Sequence, residues 1–355
     1  MKNSFPLALS FDDVLLIPKY SKIGSRIDVN LQTKISKRIT LDIPLISANM
    51  SDVTGIQMAI ALGKLGGLGV IPRFLPSDEQ AKQVSLVKKQ KVLVGAAVGA
   101  RNGIIERAEK LIKAGADILF IDIAHGHMQK NLDATSKLKQ VFGKYIDIVS
   151  GNAATYEAAN DIFKAGADSV KVGVGPGSIC TTRIETGSGV PQITAILECA
   201  RAARKYKKYI IADGGIKTSG DIVKALAAGA SAIMAGSIFA GTDEAPGKLI
   251  YKDGKKYKIY NASTSLAEKV NHAKLNKNGI EIHYTKQIEG VESIVPHKGP
   301  LKDLVEKFTA NLRSGFSYSG AKNINDLWKN ASFIQITSQG LRESGAHDVV
   351  LYKTD

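Results

Sequence analysis

Eight short apolar stretches, each followed by a segment of helical period, constrain this chain more than any other feature. They cover residues 45–50, 67–71, 92–99, 118–124, 147–153, 169–175, 209–215 and 232–240. The stretches are apolar throughout rather than on alternate residues, as in parallel strands covered on both faces. The segments between them, such as IIERAEKLIKAG and SGDIVKALAAG, carry a helical stripe. Eight such units are the number that closes a (β/α)8 barrel, and 355 residues suit one barrel with insertions, so we expect a single catalytic domain over 1–355. Residues 113–122 (KAGADILFID), 164–173 (KAGADSVKVG) and 227–236 (AAGASAIMAG) repeat one grammar: a helix stopped at Gly, a short turn, a buried strand. A doubly wound open sheet is the rival architecture. Polar residues placed at the ends of many strands favour the barrel.

Composition narrows the function. Aromatic residues are only 6% of the chain, so the core must be aliphatic. Lys plus Arg exceed Asp plus Glu by 48 to 33, a net charge of +15. The basic clusters are scattered and almost free of aromatics, which argues against nucleic acid and for phosphorylated small molecules. Two cysteines make no disulfide framework and point to a reducing cytoplasm. No stretch reaches the roughly 18 apolar residues of a membrane span.

After the eighth unit, residues 241–300 turn polar and Lys/Asn-rich with weak periodicity, and are expected to form a mobile excursion off the barrel top. Its flap portion covers about 261–297. Residues 301–328 regain a helical pattern, and the tail, FIQITSQGLRESGAHDV, is expected to reach a neighbouring subunit.

The chemistry concentrates in VGVGPGSICTTRIETGSGVPQ, residues 172–192. Gly173, Gly175 and Gly177 free the backbone to turn sharply after the sixth strand. Cys180 sits in that loop beside Thr181, Thr182 and Arg183, where loop amides and a cation would stabilise a thiolate. Cys199, inside a helical run, is read as a core residue. Asp213, at the end of the seventh strand, suits ribose hydroxyls. The Gly214–Gly215 amides suit a phosphate, as do Gly236 and Ser237 after the eighth strand. Asp122, His125 and His127 end the fourth strand. Without further His or Cys nearby, a metal site is disfavoured, and Asp122 is assigned to a cofactor ribose or nicotinamide. Asn49 and Asn152 add polar groups at strand ends.

The Cys-loop string GPGSICTTR, with IADGGI and SANM, resembles the IMP dehydrogenase/GMP reductase family, from LSFDDVLLIP (9–18) to GLRESGAHDV (340–349). The resemblance implies a (β/α)8 barrel, a homotetramer, and a purine nucleotide held as a covalent adduct of Cys180 at purine C2. It implies that Thr182 and Glu289 form a proton-transferring pair, and that Ser178, Tyr260, Ser263 and Gly290 join the substrate contacts. Asp122 and Asn152 would take the nicotinamide cofactor. Main-chain carbonyls of Gly175, Gly177 and Cys180 would bind a monovalent cation (K+), helped by Glu343 of the partner subunit. The family's dehydrogenases oxidise IMP with NAD. Its reductases use NADPH to convert GMP into IMP and ammonia.

Here Ile71 and Val92 lie one helix apart, so the pair of regulatory modules common in dehydrogenases is missing. The dehydrogenase Arg-Tyr pair of the flap is also missing: residues 261–292 contain Tyr284 and His283 but no arginine. YNASTSLAEK, SANM and RF at 73–74 resemble the reductases. GLRESGAHDV and GVPQITAI resemble the dehydrogenases, and Asn261 and Ala262 replace a usual Gly-Met. The expectation is a GMP reductase with NADPH; the alternative is an IMP dehydrogenase without regulatory modules.

Overall fold

The computed structural model describes residues 5–275 and 288–349, and the side chains of 271–275 are left aside. Tyr284 and His283 lie outside the described residues. The eight expected strands form β1 (Leu45–Ser47), β2 (Leu68–Ile71), β3 (Val94–Val98), β4 (Ile118–Asp122), β5 (Asp147–Ala153), β6 (Ser169–Val172), β7 (Tyr209–Asp213) and β8 (Ala232–Ala235). They close into a parallel barrel in chain order, with Ile233 of β8 opposite Leu45 of β1. Its helices are α1 (Ile56–Lys64), α2 (Ser77–Lys88), α3 (Ile104–Lys113), α4 (Gln129–Phe142), α5 (Tyr156–Lys164), α6 (Gln192–Tyr206), α7 (Ser219–Ala227) and α8 (Leu301–Tyr318). Only α2 lies between β2 and β3, so no module pair is inserted there.

The repeated grammar has a local cause. Gly115, Gly166 and Gly229 end α3, α5 and α7 with φ of 99°, 108° and 114°, a conformation that costs glycine little. The Asp two residues on then ties the next strand to its predecessor. Asp117 accepts from Val94 N and pairs with Lys88; Asp168 accepts from Ile148 N and pairs with Lys139. The third copy has Ser231 instead, and its hydroxyl has no partner.

The N-terminal mouth of the barrel is plugged by a hairpin, Thr33–Lys34 with Thr40–Leu41, that buries Ile35 and Ile39. Arg38 in its turn pairs with the fully buried Asp147 at the start of β5. The bottom is thus a sealed core, which leaves the C-terminal face for a ligand.

Two expectations change here. The run 232–240 is not one strand: β8 ends at Ala235, and Ser237–Ala240 forms a short helix. The described residues of 241–300 also carry more order than their composition suggests. Leu249–Lys252, Lys255–Asn261 and Glu292–Pro296 form an antiparallel three-stranded sheet. Its hairpin turns at Asp253–Gly254 with φ of 51° and 71°, the primed turn that Asp-Gly favours. That dipeptide was the signal to read, since lysines on both faces mask the alternation. The tail returns to the barrel, where Phe333–Gln335 pairs with Val14–Leu16.

Candidate active site

The C-terminal ends of the strands surround a cavity of about 250 Å3. Its floor is an ionic cluster. Lys171, in the middle of β6 and only 3% exposed, reaches Asp213 Oδ2 at 2.5 Å and Asp122 Oδ1 at 3.4 Å. Asn152 Nδ2 donates to the same Asp213 oxygen at 2.9 Å and to Gly173 O at 2.7 Å. Arg73 Nε meets Asp122 Oδ2 at 3.3 Å. Burial opposes the Asp122 carboxylate, but Lys171, Arg73 and a hydrogen bond from Asn49 outweigh it, so its carboxyl lies below the ordinary range. Burial likewise opposes the Lys171 ammonium, and Asp213 and Asp122 outweigh it and raise Lys171. Two carboxylates, at the ends of β4 and β7, therefore flank one cation, with Asp213 Oδ1 turned to neither Lys171 nor Asn152.

Above this floor stands the cysteine loop. Cys180 Sγ donates to Thr182 Oγ1 at 3.1 Å, and Thr182 Oγ1 donates to Glu289 Oε2 at 2.8 Å. Cys180 and Thr182 share one loop, but Glu289 comes from 107 residues further on. The backbone brings it there. Thr181 N donates to Glu289 O at 3.1 Å and Val291 N to Ile179 O at 3.1 Å, which clamps Gly290 against Cys180. A Cβ on Gly290 would stand 2.2 Å from the Ala262 Cβ, so only glycine lets the strand pass. Lys269, buried in the helix Leu266–Leu275, is lowered by burial, with Glu289 acting against that shift.

Tyr260 enters from the sheet, 4% exposed. Burial pushes its phenol up although a hydrogen bond with Ser178 pulls the other way, so it is a neutral hydroxyl at the site. A Cβ on Gly236 would lie 2.4 Å from the Tyr260 hydroxyl; Gly236 is thus required to seat this ring, whatever else its amide binds. Asp52, after β1, accepts from Asn261 N at 2.9 Å and so ties the flap to the barrel. Burial lifts its carboxyl to about 6, against that hydrogen bond.

Most residues expected from the sequence converge here. Asp122, Asn152, Gly175, Gly177, Cys180, Thr182, Asp213, Gly236, Tyr260, Ser263 and Glu289 all line the cavity. Ser178 and Gly290 adjoin it through Tyr260 and Cys180. Gly215, at φ 78°, packs on Pro176 of the cysteine loop, and Ser237 opens the short helix after β8. Glu343 does not join them: it ends the exposed helix Ser338–Glu343 on the same chain. Arg183, expected as a cation for the thiolate, instead donates to Val190 O at 2.7 Å. His127 is taken by Asp161 at 3.1 Å. Cys199 is fully buried, and burial drives its thiol up, as suits a core residue. Lys171 and Lys269 were missed. The signal for Lys171 was a lysine inside an apolar strand, a position that demands carboxylate partners.

Among the described residues no helix is long and apolar enough to cross a membrane. The domain profile described as IMP dehydrogenase / GMP reductase matches residues 8–347. An inosine-5'-monophosphate dehydrogenase of Borreliella burgdorferi is 40% identical, over 96% of this chain and 97% of that one. A GMP reductase of Leishmania donovani is 33% identical over 98% of each. In structure, a GMP reductase of Trypanosoma brucei in complex with guanosine 5'-monophosphate superimposes with a TM-score of 0.92 at 32% identity, covering 98% of this chain and 99% of that one. The barrel, the cysteine loop and the matched span lead to one conclusion: the chain belongs to the IMP dehydrogenase/GMP reductase family, oxidoreductases that act on purine nucleotides with a nicotinamide cofactor.

Proposed function

We propose that the chain is a GMP reductase, converting GMP to IMP and ammonia. The observation that carries this reading is the hydrogen-bonded series Cys180–Thr182–Glu289 at the cavity mouth. Cys180 passes its proton through the Thr182 hydroxyl to Glu289 as sulfur bonds to purine C2. Glu289 then returns the proton through Thr182 to the departing 2-amino group. When bound, NADPH would supply the hydride for C2, and Cys180 would then leave as the thiolate. Asp213 Oδ1 accepts the ribose hydroxyls, while the amides of Gly215, Gly236 and Ser237 face the phosphate. Tyr260, Ser178, Ser263 and Gly290 fix the nucleotide. The fully ionised Asp122 suits a second ribose, and Asn152 holds the boundary between the two. Main-chain carbonyls of Gly175, Gly177 and Cys180 are neutral hard donors that suit K+, with Glu343 of the partner subunit completing the set in a homotetramer. A reducing cytoplasm keeps Cys180 a thiol.

The direction of the reaction rests on the flap. Hydrolysis of a covalent intermediate needs a strong water activator, and residues 261–292 hold no arginine. The relatives named dehydrogenases, some without a great excess of length over this chain, favour the second reading, NAD-dependent oxidation of IMP with Thr182 and Glu289 as the base. Absorbance in the nicotinamide band separates them. GMP plus NADPH should give oxidation with ammonia release; robust turnover of IMP plus NAD, with none of GMP plus NADPH, reverses the assignment within the family.

A further inference from the structure

Gln192, the first residue of α6, is 2% exposed and stands behind the cavity wall rather than on it, yet it holds the backbone of both halves of the site. Its Nε2 donates to Val172 O at 2.9 Å and to Asp213 O at 3.0 Å. An amide nitrogen carries two hydrogens, so these bonds use its full donor capacity. Val172 ends β6, and Gln192 lies 20 residues on, where the cysteine loop returns to a helix, so the first bond closes the neck of that loop. Asp213 ends β7 and carries the carboxylate that meets Lys171 and Asn152. The pairing of β6 with β7 stops at Val172 opposite Ala212. Gly173 follows at φ 146°, and a Cβ there would stand 2.1 Å from Asp213 O and 3.0 Å from Gln192 Nε2. The two strands thus part at a point without spare room, and one side-chain amide fixes both carbonyls there. Stability alone does not account for this choice of residue. Gln192 Oε1 is buried and meets no donor among the described residues. Turning the amide over would only set oxygen against two carbonyls. A buried acceptor without a donor opposes folding and offsets part of what the two bonds contribute.

We infer that Gln192 is a positioning residue, which sets the spacing between the cysteine loop and Asp213. The inference rests on the reading of Cys180 as the group that meets purine C2 and of Asp213 as the acceptor of the ribose hydroxyls. A single glycosidic bond joins base to ribose, so a nucleotide engages both groups only when their separation matches its own. Small displacements of either group forfeit binding and rate together.

The test is Gln192→Met in the full-length protein, which keeps length and burial and removes both donors. Calorimetry with GMP and with IMP reads nucleotide affinity whichever way the reaction runs. Alkylation by iodoacetamide, with and without each nucleotide, reads Cys180, since Cys199 is fully buried. The variant should melt within about 3 °C of the wild type. Its affinity for the nucleotide that the wild type binds should nevertheless fall about tenfold, and saturating nucleotide should shield Cys180 less well. Gln192→Glu gives a second, independent readout. Its protonated acid can donate one of the two bonds and its carboxylate neither, so nucleotide affinity should fall more steeply than the wild type's between about pH 5 and about pH 8. Wild-type affinity and shielding in Gln192→Met, with or without a fall in Tm, would overturn the inference and leave Gln192 a structural bracket. Should that variant fail to fold, a Gln192→Glu protein with the wild-type pH profile would overturn it equally. Failure of the underlying reading looks different: the wild type itself would bind neither nucleotide, or bind one without shielding Cys180.

Discussion

Replacing Lys171 by Met tests the reasoning about the cavity floor most sharply. The ammonium is 3% exposed and lies 2.5 Å from Asp213 and 3.4 Å from Asp122. Methionine has nearly the same length, so no large void opens, but two carboxylates lose the cation between them. Breaking a buried ion pair on one side costs about 3–5 kcal/mol. With an unfolding entropy of about 2.1 cal/mol/K per residue, this chain should lose roughly 4–7 °C in Tm at pH 7.5. The pH dependence has a definite sign. In the wild type the Asp122 carboxyl is lowered from 3.8, so its contribution is present above that value and is lost as pH falls through the lower folded one. In the variant Asp122 keeps only Arg73, its carboxyl rises, and protonation relieves the lost pairing. The deficit in Tm should therefore shrink from pH 7.5 to pH 5. Thermal melts of both proteins across that range, with the nucleotide KM measured in parallel, provide the assay. A variant that melts with the wild type at pH 7.5, or whose deficit grows on acidification, would refute the triad as an electrostatic unit.

Three further outcomes follow from the same geometry. Cys180→Ala should abolish turnover while nucleotide binding, by calorimetry, stays within about tenfold; Cys199→Ala, the buried control, should leave kcat unchanged. Asp213→Asn should raise the nucleotide KM by about ten- to a hundredfold, through loss of a charged acceptor for the ribose, and a KM equal to the wild type's would make Asp213 purely structural. Glu289→Gln should slow ammonia release by about a hundredfold or more. Stopped-flow traces should then show hydride transfer less affected than the step before it, and equal slowing of both steps would remove Glu289 from proton transfer.

The barrel was legible because its cause is local. Eight apolar runs buried on both faces, and a Gly-Ala-Asp turn repeated between helix and strand, leave few ways to pair. The cysteine loop was legible as well, since its glycines, threonines and Cys180 are contiguous. Asp122, Asn152 and Asp213 could be read as strand-end groups, though nothing in their spacing tied them to one lysine. That tie exists because barrel closure points the middle of β6 at the ends of β4 and β7, which places Lys171 between carboxylates 49 and 42 residues away. Glu289 depends still more on the fold: it meets Thr182 only because the strand around Gly290 is clamped to Ile179 and Thr181. The sheet at 249–296 escaped notice because its lysine-rich faces hide the period of two. Chain-local patterns specify strands, turns and single loops, since those are governed by neighbours in sequence. The distances on which acid–base chemistry depends are set by closure and by backbone pairing between remote segments, and these exist only once the chain is packed.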